Sequence, residues 1–241
     1  MLLASRIRLR LERILLILLF SSQLAGAANV AADAPAARAW HWPDSFLARV
    51  EALALLETLN ADLLSHDSAT QTLERWCADH HLAAPATMVA ARVAGVDTPV
   101  TEEQRRDLGV NASERVRYRR VKLMCGQLEL SEADNWYVPS RLTPDMNRVL
   151  DTTNTPFGRA IQALHFHRHT LSATLLWQPL PFGWEMSPDA AADAPTSAGE
   201  LIAPPGVLQH RALLSLPDGT PVSEVVETYS SNVLAFAPPR R

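Results

Sequence analysis

The run 116–125 alternates along its length, as an extended strand does: Val116, Tyr118, Arg120, Lys122 and Met124 fall on one face, and Arg117, Arg119, Val121, Leu123 and Cys125 on the other. Gly126-Gln127 makes a tight turn, residues 130–138 return as the paired strand, and Pro139 closes the hairpin. Further strands are predicted at 87–96, 163–177, 207–216 and 222–233, the last two joined by Pro217-Asp218-Gly219. Helical periodicity precedes them. Phe46, Leu47, Val50, Leu53, Leu56 and Leu59 recur at three- and four-residue steps after Asp44, a candidate N-cap. A second helix is predicted at 68–80 with Leu73, Trp76 and Cys77 inward, a short one at Thr101-Glu102-Glu103, and another from Pro144 through 145–151. Thr155-Pro156-Phe157-Gly158 reads as a compact turn. Helices first and successive strands after them argue for an α+β fold, one domain with an antiparallel sheet and flanking helices.

At 241 residues, 47% hydrophobic and 20% charged, the chain can bury a sizeable core and is not a disordered tail. A formal charge of −4 argues against a nucleic-acid module. Of the 22 cations only Lys122 is a lysine, so an anion site here is built from guanidinium forks. The N-terminus carries its own signal: Arg6, Arg8, Arg10 and Arg13 precede an apolar run at 14–20 and the small triplet Ala25-Gly26-Ala27. That run is short of the ~20 residues a membrane span needs, so 1–27 is read as a secretory signal peptide, with an uncleaved anchor as the competing reading. Cleavage removes four Arg and one Glu and leaves 18 cations against 25 anions, net −7. The expectation is an exported, periplasmic protein with no stable membrane span after signal cleavage. A flexible lead-in is expected at 28–43 and a domain at 44–235, whose Pro/Ala/Asp/Ser loop 179–205 is either functional or disordered.

Two readings of Arg120 stand at this point. Facing inward it needs an anionic partner; otherwise its face is simply the wet side of an amphipathic strand, which is the commoner case. Glu224 and Glu227 point to opposite faces of the last strand, so only one of them can face a pocket. His165, His167 and His169 share a strand face, but ligands ~6.5–7 Å apart in a line surround one ion poorly. No G-x-S-x-G elbow, phosphate loop or dinucleotide fingerprint is present. Cys77 and Cys125 are either disulfide-bonded or two buried thiols, and the second reading is preferred.

From Asn60 to Thr228 the order of features resembles the chorismate pyruvate-lyases of ubiquinone biosynthesis. The likeness is carried by Asp67-Ser68-Ala69-Thr70 (D-S-x-T), Arg120 to Cys125 (R-x-x-L-x-C), Tyr137-Val138-Pro139 (V-V-P) and Thr155 to Arg159 (T-P-L-G-R). Arg168 follows in a strand, and Gly219-Thr220-Pro221 with Ser223-Glu224 resembles the family's G-x-P…T-E strand. No single motif is specific; their shared order and spacing carry the resemblance.

The resemblance implies a single α+β domain whose helices fold over an enclosed ligand pocket, and a cofactor-free, metal-free lyase that splits chorismate into 4-hydroxybenzoate and pyruvate. It implies that Arg120 binds the ring carboxylate with help from the backbone N–H groups of Ala69 and Phe157. It places Glu224 near the departing enolpyruvyl oxygen, with Glu227 as its rival. Asn135 stands where the family has an arginine, and Phe157 where it has a smaller aliphatic residue. The alternative function is a non-catalytic periplasmic binder of a small aromatic or cyclic carboxylate on the same fold. A metal-binding role for the three histidines is a third reading.

Overall fold

Six strands, β1 (Met88–Arg92), β2 (Arg117–Cys125), β3 (Leu128–Tyr137), β4 (His167–Leu175), β5 (Gly206–Ser215) and β6 (Pro221–Ser230), form one antiparallel sheet in the order β1-β2-β3-β6-β5-β4. With α1 (Phe46–Leu64), α2 (Ala69–Asp79), α3 (Glu102–Asp107), α4 (Pro144–Thr152) and α5 (Phe157–Ala160), the architecture is α+β. This computed structural model describes residues 42–187 and 199–237, all within the compact unit Ala37–Arg241. The expected signal peptide, most of the lead-in and the centre of the 179–205 loop lie outside the described residues.

The β2–β3 hairpin turns at Gly126, whose φ of +57° and a would-be Cβ 2.7 Å from the Ala83 Cβ require glycine. Beyond the turn, Cys125 pairs with Leu128 and Arg119 with Asn135. The strands bury the face carrying Arg119, Val121, Leu123 and Cys125 under α1 and α2. Arg120 lies on the other face, which corrects the expectation that it anchors a ligand in a pocket beneath these helices. The reason is parity. Arg120 is three residues from Leu123, and an odd step along a strand changes face.

Helix α1 presents Ala48, Ala52, Leu56, Leu59 and Leu63 to the sheet, a narrow i, i+4 stripe whose two alanines let it sit close. Leu47, expected on the inner face, is exposed. The N-cap is Ser45, whose side chain accepts from the Ala48 N–H at 3.2 Å. Asp44 is instead paired with Arg49 at 2.7 Å. Two residues of the expected lead-in are packed: Trp42 is fully buried, and its Nε1–H donates to the Phe236 carbonyl at 3.0 Å. Pro43 bridges to Glu200.

Cys77 of α2 is disulfide-bonded to Cys125 of β2, overturning the preference for free thiols. On the opposite sheet face, α3 starts with a reciprocal Thr101/Gln104 capping box and covers Trp136 and Val138 with Leu108. Among the described residues, no helix is long and apolar enough to cross a membrane.

Candidate functional site

Two separate core clusters occupy the face covered by α1 and α2. One centres on Leu56, Leu73 and Leu123; the other on Tyr137, Leu150, Phe157 and Leu214. Between them lies a cavity of about 40 Å³, floored by β2, β3 and β6 and roofed by the start of α2 and the Phe157-Gly158 turn. A single water needs about 10–15 Å³ and a cavity that takes benzene about 150 Å³, so the space as it stands holds a few waters and a ring must widen it.

Arg119 lies in the cavity floor, 6% exposed. Its Nη2 donates to the Thr155 carbonyl at 3.2 Å, and its Nε is buried without a hydrogen-bond partner. Burial, with repulsion from Arg92, pulls this guanidinium down to about 10. A buried cation with a carbonyl for company and a donor to spare is set up for an incoming anion. Opposite it the N-terminus of α2 enters the cavity. Ser68 caps that helix by accepting from Gln71 N–H at 3.3 Å, and Ala69 and Thr70 line the wall. The free first-turn N–H groups of a helix favour negative charge, so helix start and guanidinium both favour an anion in this cavity.

The far side is anionic and neutralised. Arg168 Nη2 contacts Glu227 Oε2 at 2.6 Å, the two side chains being 3% and 7% exposed. Tyr229 O–H donates to the same oxygen at 3.0 Å. Two strand spacings across and two residues along separate the Cα atoms of Arg119 and Glu227 by ~12 Å, a gap one ring can bridge. Behind this pair, His210 Nε2 meets Asn60 Oδ1 at 2.8 Å and its Nδ1 is buried without a partner.

Burial, and then Arg168, pulls His210 down from 6.5 to about 4. The unfolded chain therefore takes up a proton between these values that the folded chain refuses. The His210 contribution is complete above about pH 6.5 and falls away toward about pH 4. Urea midpoints measured across that window are expected to drop on acidification, and His210→Phe is expected to flatten the slope.

The structure brings Ala69, Asn135 and Phe157 to this cavity, together with Arg119 and Glu227. Asn135 is opposite Arg119, and its Oδ1 accepts from Ser223 O–H at 2.6 Å. Arg120 and Glu224 are not at the cavity. Arg120 makes a two-pronged pair with Asp134, at 2.6 and 2.9 Å. Glu224 is fully buried under α3, where Arg211 Nε donates to it at 2.7 Å while also holding Glu103 and Asp107. Arg211 thereby fastens α3 to the sheet. Sequence reasoning passed over Arg119 and left Arg168 without a role. The usable signal for Arg119 was its parity with Val121 and Leu123, the most apolar stretch of that strand. His167 and His169 are exposed on β4, and among the described residues no group of three or more His, Cys, Asp or Glu is placed to hold a metal.

Fold and cavity together define an α+β domain with a cation-floored pocket. The chain belongs to the family of y4mC, an uncharacterized protein of Sinorhizobium fredii, with which it shares 54% identity over 199 residues, 82% of this chain and 83% of that one. No family model matches the sequence. Among solved structures, the effector domain of PhnF from Mycobacterium smegmatis is similar at a TM-score of 0.43 and 14% identity, covering 73% of this chain and 96% of that one. A GntR-family transcriptional regulator from Enterococcus faecalis overlaps at a TM-score of 0.39 and 10% identity, covering 63% and 99%. Overlaps at that level describe a partly shared layout and say nothing about ligand or activity.

Proposed function

We propose that the cavity binds a compact cyclic carboxylate, and that the chain is a chorismate-lyase-like enzyme releasing 4-hydroxybenzoate and pyruvate. The observation that carries this reading is Arg119, a buried guanidinium with an unpartnered Nε at the pocket floor. Arg119 and the α2 N-terminus would hold the ring carboxylate, which leaves the opposite end of the ring toward Glu227. The elimination breaks the bond between a ring carbon and the enolpyruvyl oxygen, and the neighbouring ring carbon loses a proton as the ring becomes aromatic. Glu227, paired with Arg168, would accept that proton and return it to the methylene carbon of the departing enolpyruvate, which leaves as pyruvate. The walls would hold the substrate in one conformation. Export through the 1–27 leader belongs to the same proposal, and the Cys77–Cys125 disulfide supports an oxidising compartment.

A second reading, binding without turnover, is favoured by one observation: Glu227 Oε2 is already occupied by both Arg168 and Tyr229. The test is to incubate the purified mature chain with chorismate and follow 4-hydroxybenzoate by absorbance, alongside calorimetric titration with 4-hydroxybenzoate itself. Product formation identifies the lyase. Binding without product identifies the binder, and neither response from folded protein overturns both readings.

A further inference from the structure

A second cavity, about 300 Å³, opens on the outer side of Arg119. It is bounded by the start of β2, the turn 93–96 after β1, and Leu150 and Asp151 of α4. Four guanidinium groups line it: Arg92, Arg117, Arg119 and Arg120. Two of them are neutralised. Arg117 holds Asp151 through two contacts, at 2.7 and 2.9 Å, and lies over the Tyr137 ring. Arg120 is paired with Asp134, with Glu132 at 3.6 Å. The other two meet only backbone oxygen: Arg92 donates to the Asp151 carbonyl and Arg119 to the Thr155 carbonyl. The cavity therefore holds an excess of two positive charges, on neighbours that repel each other.

We propose that this outer cavity is a binding site for a dianionic phosphate group, held between Arg92 and Arg119. Two separate guanidinium forks suit the several oxygens of a tetrahedral anion, and a charge of minus two balances the excess. The space exceeds what a bare phosphate fills, and the Tyr137 ring with Leu150 supplies an apolar wall. A phosphomonoester is thus the fuller occupant, and free phosphate the minimal one. Arg119 is common to both cavities, so an anion in the outer one draws on the same guanidinium that floors the inner one.

Titrating the full mature chain with inorganic phosphate and with phenyl phosphate, at about pH 8 where both are dianions, tests the assignment. Saturable binding is expected, tighter for phenyl phosphate if an ester is the true occupant and equal for the two if phosphate alone is. Arg92 is exposed on the sheet edge, so Arg92→Gln is expected to remain folded by circular dichroism. It is expected to weaken both ligands by about tenfold or more, as loss of a charge-assisted contact does. Arg92→Lys should recover part of the affinity. Unsaturable binding, or an affinity that Arg92→Gln leaves unchanged, overturns the proposal. Arg92 does not line the inner cavity, so 4-hydroxybenzoate affinity measured on the same variant is expected to change far less than phosphate affinity. A chain that ignores 4-hydroxybenzoate yet binds phosphate would sink the carboxylate reading and leave this one standing.

Discussion

Arg119→Met is expected to abolish carboxylate binding while raising the melting temperature of the empty protein. The two effects have opposite signs for one reason. In the empty protein the guanidinium is 6% exposed, has an unpartnered Nε, and is repelled by Arg92. Replacing it with a thioether removes a buried charge that no carboxylate contacts. With ligand present the same charge is the anchor, and losing one partner of a buried, hydrogen-bonded charge pair costs about 2–5 kcal/mol, or roughly 30-fold and upward in affinity. Titration with 4-hydroxybenzoate and a thermal melt on the same sample check both halves. Arg120→Met is the matched control. Its side chain is on the other face and bound to Asp134, so ligand affinity should not move. Equal losses from the two variants would refute the assignment of the pocket to the Arg119 face.

Reducing Cys77–Cys125, or replacing both residues with serine, is expected to lower unfolding free energy by about 4 kcal/mol. The bond closes a loop with a sequence separation of 48, and the chain-entropy relation for a loop of that size gives this figure. A urea midpoint roughly 1–2 M lower in reductant is the measurable form. A functional consequence accompanies it. The bond ties α2, whose first turn roofs the inner cavity, to β2, which carries Arg119 in its floor. Reduced protein that stays folded should therefore bind carboxylates more weakly. A midpoint indifferent to reductant would show that the bond does not form in solution.

The strands were legible because alternation is a local property. Residues 117–125 and 128–137 were read nearly to their ends, and helices were found at 46–64 and 69–79 from spacing, the first pattern being followed only as far as 59. The face assignment of β2 was not legible from the Arg120 motif. Matching residue types along a chain ignores parity, and parity decides which arginine is buried. Leu47 misled for a related reason: large residues drew attention from Ala48 and Ala52, yet small ones face the sheet where a helix packs closely. Asp44 and Ser45 are both good caps, and the choice between them was settled by Arg49, which takes the aspartate. The partners Arg168–Glu227 and Cys77–Cys125 come from remote segments, so their pairing appears only once the sheet order is known.

That order, β1-β2-β3-β6-β5-β4, is two three-stranded meanders set side by side, and in the sheet they meet along one ladder, β3 with β6. Arg119 belongs to the first meander; Arg168 and Glu227 belong to the second. A molecule gripped by both is a brace across the joint between two halves of the chain. Its binding energy then adds directly to the cohesion of those halves, and a chain caught with the joint unzipped has no pocket at all.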